Sequence, residues 1–194
     1  MAKLVATLGR TPGGVVETLR NLREGKYVRE GAGLGVGAGG AVGEVEAAPK
    51  PVEISEVVVV RTREVEESFE VLRALLTCCA DWKVDLREVV LPMDDVEEPR
   101  HFRVVRERLA RSLRVGDYVD FTGGRKAISA AAVLAAREAG AHLVTTLIPQ
   151  EDYYRLERVY GEVRLRALRV VTPQECFAEL CGLVLHHAKT LVLT

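Results

Sequence analysis

The chain alternates short apolar runs with longer segments of helical periodicity, and this alternation limits it to a small set of folds. Strand-like runs occupy residues 3–8 (KLVATL), 56–62 (EVVVVRT), 84–92 (VDLREVVLP), 117–122 (DYVDFT) and 142–149 (HLVTTLIP). Helical stripes follow the first four runs, over residues 13–24, 64–80, 99–114 and 125–139. Such alternation is typical of βαβ units. It predicts an α/β fold, Rossmann-like, with an open, mostly parallel sheet and helices on both faces.

The last part of the chain is less regular. Residues 162–171 alternate polar and apolar side chains, which predicts a half-exposed strand near a sheet edge. A helix is expected from Pro173 to about His187, followed by a short closing strand, TLVL. Residues 150–194 are therefore expected to complete a domain that spans residues 1–194.

Length and charge limit the functional classes. A chain of 194 residues is long enough for one α/β domain with a sizeable core. Its formal net charge of -1 gives no overall basic signature, so DNA is not an expected partner. No uncharged apolar run approaches the ~20 residues that a membrane span requires, and the N-terminus lacks a signal-peptide pattern. We expect a cytoplasmic protein.

The four cysteines give no sign of a cofactor. Cys78, Cys79, Cys176 and Cys181 match neither a zinc ligand pattern nor the framework of a secreted disulfide protein. We expect them to be reduced and structural. Neither a metal nor a cofactor is predicted.

One glycine-rich segment imitates a dinucleotide-binding motif. Gly35, Gly37 and Gly40 have the G-x-G-x-x-G spacing, but this motif requires a strand just before it and a helix just after it. Here the segment 31–43 leads instead into a proline-containing stretch. Residues 31–51 are interpreted as a surface insertion, for which a hairpin is one possible form.

Two strand-to-helix junctions carry the more informative glycines. LGRTPGG at 8–14 and TGGRK at 122–126 both lie where parallel strands end, at the edge where open α/β sheets bind ligands. Glycines allow backbone N–H groups to approach a phosphate, and a helix start presents unpaired donors. The alternative is that both loops are tight turns with solvated charges. The candidate ligand-binding residues are Gly9, Arg10, Thr11, Pro12, Gly13, Thr122, Gly123, Gly124, Arg125 and Lys126.

Other polar groups allow two interpretations. Asp94 and Asp95 follow the third strand, where they could accept hydrogen bonds from a ligand or cap the helix that starts near Pro99; Asp94 is retained as a candidate ligand-binding residue. The tyrosines near the start of the tail could stack on bases or pack at a domain edge or dimer contact. They are Tyr153, Tyr154 and Tyr160.

The two loops together resemble those of the CARF family, the CRISPR-associated Rossmann-fold sensors of cyclic oligoadenylate. ATLGRTPGGVVETL and DFTGGRKAIS occur in the order of the family's two motifs, and the resemblance extends to about Pro149. It implies a two-fold homodimer that binds cyclic tetra- or hexaadenylate. About 45 residues follow Pro149, too few for the effector RNase of most members. This implies a stand-alone ring nuclease, which cleaves the messenger.

The resemblance also implies residue roles. Thr11 occupies the hydroxyl position of the first motif, with Arg10 beside it, and Lys126 is the lysine of the second motif. These three are the predicted catalytic residues. Arg125 stands where a small polar residue is common, and the glycine-rich insertion has no counterpart. Cleavage would proceed by attack of a ribose 2'-hydroxyl, without metal, to linear diadenylate with a 2',3'-cyclic phosphate.

Two alternatives remain open from the sequence. The chain could be a sensor or sponge that binds the messenger without cleaving it and acts through a partner protein. It could also be an unrelated nucleotide-binding Rossmann protein. Product formation separates the first from a nuclease, and binding of a mononucleotide in place of a cyclic oligoadenylate would favour the second.

Overall fold

A single sheet organises the structure, a computed structural model that describes residues 1–29, 49–80 and 83–193. Within these residues the strands are β1 (Ala2–Thr7), β2 (Tyr27–Arg29), β3 (Ile54–Arg61), β4 (Asp85–Val90), β5 (Tyr118–Asp120), β6 (His142–Leu147) and β7 (Lys189–Leu193). They form a seven-stranded sheet in the order β2-β7-β6-β5-β1-β3-β4.

The helices connect these strands. They are α1 (Gly13–Glu24), α2 (Glu66–Cys79), α3 (Pro99–Ser112), α4 (Lys126–Ala139), α5 (Gln150–Ala167) and α6 (Ala178–Cys181), with single 3-10 turns at Arg63–Val65 and Pro173–Glu175. The predicted α/β class is confirmed, and α1 has the predicted bounds. Among the described residues, no helix is both long enough and apolar enough to cross a bilayer.

Helices cover both faces of the sheet, as predicted. On one face α1, α2, α5 and α6 bury a core that includes Leu19, Leu72, Leu156 and Leu180. On the other face α3 and α4 bury a smaller core around Leu109. The apolar stripes read from the sequence are the buried sides of α1, α2 and α3.

The order in which the chain forms the strands defines the topological switch point of the sheet. The chain runs from β1 outward through β3 to β4, then returns to the other side of β1 and continues through β5 to β6, all in parallel. Strand β7 is antiparallel to β6, and the short β2, which the sequence did not predict, pairs with β7 in parallel. The topological switch point therefore lies between β1 and β5, the position where open α/β sheets bind ligands.

The prediction for the tail was wrong in two elements. Residues 162–171 do not form an edge strand, because most of them belong to the long helix α5. Its buried residues Leu156, Val163 and Ala167 repeat at helical spacing, whereas the strand prediction rested on a window too short to separate the two periods. The helix expected from Pro173 to His187 is reduced to α6. The closing strand is confirmed as β7.

The prediction of reduced cysteines was also wrong. Cys78 and Cys79, at the end of α2, form disulfides with Cys176 and Cys181 of the tail, with Cα–Cα distances of 5.5 and 5.6 Å. These pairs are 98 and 102 residues apart in sequence, so only the packing of α2 against the tail brings them together. The glycine-rich segment 31–43, interpreted as an insertion, lies outside the described residues.

Candidate functional site

The loops that follow β1 and β5 lie in direct contact at the switch point. A β-carbon on Gly9 would lie 2.9 Å from the backbone nitrogen of Gly124, and one on Gly123 would lie 2.6 Å from the carbonyl oxygen of Thr7. Contacts this short leave no room for a side chain. The glycines of the two motifs are therefore required first for the packing of one loop on the other.

Hydrogen bonds hold the second loop in place. The Thr7 hydroxyl donates to the carbonyl oxygen of Gly123 at 2.6 Å, and the Ser129 hydroxyl donates to the same oxygen at 3.0 Å. Gly124 has a φ of +87°, a conformation that favours glycine. The chain can then turn sharply into α4, which begins at Lys126.

Two adjacent clefts, of about 240 and 360 Å³, open beside these loops. The first extends toward the end of β6, and the second toward the end of β3. Backbone, hydroxyl and aromatic groups dominate the shared wall, which suits a ligand with both phosphates and bases. The residues common to both clefts are Leu8, Gly9, Thr11, Thr122, Gly123 and Tyr153.

Arg125 lies at the edge of the second cleft but is not a free cation. Its guanidinium forms ion pairs with Glu64, just after β3, and with Asp95, after β4. These carboxylates raise the pKa of Arg125. The pKa of Asp95 is lowered, chiefly by the N–H of Val96 and also by Arg125. A phosphate would have to compete with two carboxylates for this arginine.

The structure brings most of the predicted residues to the clefts. Those that line one or both are Gly9, Arg10, Thr11, Thr122, Gly123, Gly124 and Arg125. Pro12, Gly13 and Lys126 are not among the lining residues. Gly13 is buried, and a β-carbon there would lie 2.0 Å from the carbonyl oxygen of Leu183. Lys126 is exposed at the first position of α4.

The structure places one of the acidic and aromatic candidates, Tyr153, in the clefts and the others outside them. Asp94 is exposed and does not line either cleft, whereas its neighbour Asp95 binds Arg125. Neither caps α3, which begins at Pro99 as predicted but has Glu98 at its cap position. Of the three tyrosines, Tyr153 alone lines the clefts, while the Tyr160 hydroxyl lies 3.4 Å from that of Ser68.

A buried polar layer lies beneath the clefts, and sequence reasoning missed it. The hydroxyls of Thr18 and Thr146 are 2.7 Å apart, and that of Thr146 is 2.8 Å from that of Thr190. Asp120, fully buried at the end of β5, accepts a hydrogen bond from the N–H of Thr122 at 2.8 Å. The sequence signal that could have revealed this layer is the presence of polar residues on otherwise apolar strand and helix faces.

A second carboxyl group is buried in the same region. Glu17, on α1, is fully buried, and its Oε1 accepts a hydrogen bond from the N–H of Leu185. Burial raises the pKa of Glu17 to about 7, against the effects of that N–H and of Arg20. The negative charge of Asp120 contributes to the increase.

Comparison with known proteins identifies the family. The chain is 33% identical, over 200 aligned positions, to the CRISPR system ring nuclease SSO2081 of Saccharolobus solfataricus, and the alignment covers 98% of each chain. The chain belongs to the CRISPR ring nuclease family. No family model matches this ring nuclease. The resemblance stated from the two loop motifs is thereby confirmed.

A solved structure also shows similarity to this ring nuclease. It is Can2 from Sulfobacillus thermosulfidooxidans in complex with cyclic tetra-adenylate, at 8% sequence identity and a TM-score of 0.46. The match covers 84% of this chain but 47% of Can2, so the ring nuclease spans about half the length of that protein.

Several cleft residues of the ring nuclease were not predicted. Thr62 and Glu64 follow β3, and Thr146 lies near the end of β6. Both strands end at the same edge as β1 and β5. The strand order would have pointed to these residues, but strand order is not visible in a single sequence.

Proposed function

We propose that this chain binds cyclic oligoadenylate, most favourably cyclic tetraadenylate, across a homodimer and cleaves it. The observation that supports this most strongly is the contact between the two motif loops at the topological switch point, where they line two joined clefts. The second support is the 33% identity of this chain to a CRISPR ring nuclease over 98% of its length.

The cleft offers separate contacts for phosphate and base. Arg10 lines the second cleft, and Thr11 lines both, so a guanidinium and a hydroxyl stand beside the backbone of the glycine loops. Such groups suit a phosphodiester. Tyr153 lines both clefts and is 41% exposed, so its ring, which meets that of Tyr154 edge-on, can stack on an adenine.

A homodimer would place two copies of these loops around one ligand. Cyclic tetraadenylate has two-fold symmetry, so an isologous dimer presents the same groups to both halves. Leu147 and Tyr153 line the first cleft and are 49% and 41% exposed. This apolar surface next to the cleft favours a partner that also covers the ligand.

Cleavage requires only the nucleophile that the ligand carries. The ribose 2'-oxygen forms a bond to the neighbouring phosphorus, the bond from phosphorus to the 5'-oxygen breaks, and the 2'-hydroxyl proton is released while the 5'-oxygen gains one. Two such events convert cyclic tetraadenylate to two linear diadenylates, each with a 2',3'-cyclic phosphate. The protein's main task is to hold the attacking oxygen in line with the bond that breaks.

The catalytic roles follow from the charge that develops on the phosphate. Lys126 and Arg10 stabilise that charge together with the loop amides, and Thr11 orients a phosphate oxygen or the 2'-hydroxyl. Lys126 is exposed at the start of α4, so its side chain can reach a ligand that fills the clefts and extends beyond them. In this proposal Lys126 contacts the ligand from outside the clefts and is not one of the residues that line them.

The proposal is tested with labelled cyclic tetra- and hexaadenylate, excess protein and EDTA. We expect linear diadenylate with a cyclic phosphate, formed despite the chelator, because Glu64, which lines the second cleft, and Asp95 are both paired with Arg125. Binding without product would support a sensor or sponge. Activity that is lost in EDTA and restored by magnesium or manganese would overturn the metal-independent mechanism.

A further inference from the structure

Asp120 is a carboxyl group in a position where the fold alone would favour an apolar residue. It is the last residue of β5, its neighbours in the sheet are Ala6 of β1 and Val144 of β6, and its exposed fraction is 0%. Its Oδ2 atom has no hydrogen-bond partner among the described residues. Burying a carboxyl group in this way costs stability, which indicates another role.

The contacts of Asp120 lead to the second motif loop. Its Oδ1 accepts a hydrogen bond from the N–H of Thr122 at 2.8 Å, and Thr122 lines both clefts. The Thr122 hydroxyl in turn accepts from the N–H of Thr146 at 2.7 Å. Asp120 therefore determines the first backbone position of the loop that carries Gly123 and Gly124.

Asp120 is also linked to the start of α1, by way of Thr122 and Thr146. Burial raises the pKa of Asp120, and hydrogen bonding from Thr122 opposes this shift. The Thr18 hydroxyl donates to the carbonyl oxygen of Gly14 at 2.9 Å, and Gly14 lines the first cleft. The Thr18 hydroxyl is 2.7 Å from that of Thr146, whose N–H binds the Thr122 hydroxyl, so this chain of contacts connects the backbones of the two loops from below.

We propose that Asp120 is a positioning residue for cleavage, which sets the loop from Thr122 to Gly124 relative to the start of α1. This inference rests on the proposed cleavage of cyclic oligoadenylate. Asp120 is fully buried, so its effect passes through Thr122 and, by way of Thr146, to Thr18. A loop shift of about 1 Å can reduce an in-line reaction about 100-fold while ligand binding persists.

Three variants and one control separate positioning from stability. Asp120→Asn keeps an acceptor for the Thr122 N–H, Asp120→Leu removes it with the same number of side-chain heavy atoms, and Thr18→Val removes the hydroxyl that binds Gly14. Thr190→Val is the matched control, because the Thr190 hydroxyl belongs to the same buried layer but its partners are Thr146 and Asn21, neither of which belongs to a motif loop. All four are compared with wild type for single-turnover cleavage, ligand affinity and the hydrogen exchange of the Thr122 amide.

We expect Asp120→Leu to slow cleavage about 100-fold with affinity changed less than about tenfold, and to expose the Thr122 amide to exchange. Thr18→Val should slow cleavage in the same direction, while Asp120→Asn and Thr190→Val should stay within about threefold of wild type. Asp120→Leu at the wild-type rate, or Asp120→Asn and Thr190→Val as slow as Asp120→Leu, would overturn the inference.

The exchange measurement keeps this test independent of the proposed function. If wild-type protein does not cleave cyclic oligoadenylate, the proposed function is wrong, and the positioning of catalysis falls with it. Protection of the Thr122 amide that is lost in Asp120→Leu but retained in Asp120→Asn would still establish that Asp120 positions the loop. Should Asp120→Leu fail to fold, Thr18→Val against Thr190→Val decides the question.

Discussion

Gly9 and Gly124, more than 100 residues apart in sequence, approach so closely that a β-carbon on Gly9 would lie 2.9 Å from the Gly124 nitrogen. This contact joins the two motif loops into one surface. Because the obstructing atom is backbone, it cannot move aside as the end of a flexible side chain would. The glycines of both motifs are thus a tertiary requirement as well as a possible phosphate cradle.

The first prediction concerns this contact. Gly9→Ala should push the loops apart, lower the free energy of unfolding by about 1–3 kcal/mol and slow cleavage. Urea unfolding and single-turnover cleavage measure the two effects. The control is Gly161→Ala on α5, where a β-carbon meets nothing within 4 Å and alanine should add about 0.5–1 kcal/mol. Wild-type stability and activity in Gly9→Ala would show that the contact is not tight.

The second prediction assigns different roles to Lys126 and Thr11. Lys126→Ala should weaken ligand binding and slow cleavage further, by about 1.5–3 kcal/mol for each charge-assisted bond that is lost. Thr11→Ala should mainly slow cleavage, because a neutral hydroxyl contributes more to alignment than to affinity. Affinity, single-turnover rate and oligomeric state are measured together, because in the proposed homodimer each substitution acts on both halves of the ligand.

Lys83→Ala is the matched control for Lys126→Ala. Lys83 is also exposed, but it precedes β4 and so lies at the opposite edge of the sheet from the motif loops. It should bind and cleave like wild type. Near-wild-type binding and cleavage in dimeric Lys126→Ala protein would reject Lys126 as a catalytic residue.

The third prediction concerns the pH dependence of stability. Burial raises the pKa of Glu17 to about 7 from an ordinary value of 4.5. The unfolded chain releases this proton at lower pH than the folded chain, so the contribution is favourable below pH 4.5 and is lost as the pH rises toward 7. As the pH rises from 4.5 to 7, the free energy of unfolding should fall by a total of about 3 kcal/mol because of Glu17.

Glu17→Gln provides the measurement, because the amide oxygen can still accept from the N–H of Leu185. The free energy of unfolding is determined by urea titration from pH 4.5 to 8 for both proteins. Relative to Glu17→Gln, wild type should lose stability as the pH rises. A difference that stays constant with pH would show that Glu17 titrates as in the unfolded chain, and one that changes in the opposite direction would show that the fold lowers its pKa; either result contradicts the prediction.

The fourth prediction concerns the disulfides. Reduction of Cys78–Cys176 and Cys79–Cys181 should lower the free energy of unfolding by about 2–5 kcal/mol for the first bond, and by less for the second, which closes nearly the same loop. Urea unfolding with and without reductant measures the effect. Alkylation followed by mass spectrometry should find these four thiols blocked before reduction. Four reactive thiols in protein that was never reduced would contradict the disulfides.

The periodicity of the sequence was sufficient for much of the fold. The apolar runs and stripes predicted β1, β3, α1 and α4 closely, because β1 and β3 are apolar runs buried on both faces of the sheet and the apolar residues of α1 and α4 recur at helical spacing. The periodicity gave the wrong element for α5. Val163, Leu165 and Ala167 are spaced two residues apart, as on one face of a strand, while Val163 and Ala167 are also four residues apart, as on one face of a helix. Leu165 is 63% exposed, so the strand interpretation gave an exposed residue the same weight as a buried one.

The sequence by itself determined that two glycine loops, with Arg10, Thr11 and Arg125, follow strands of a parallel sheet, since strand ends and turn residues are local properties. Only the tertiary structure decided that Arg125 is paired with Glu64 and Asp95. The same holds for the disulfides. These relationships depend on strand order and helix packing, which bring together residues 30 to more than 100 positions apart, and no local pattern records such distances.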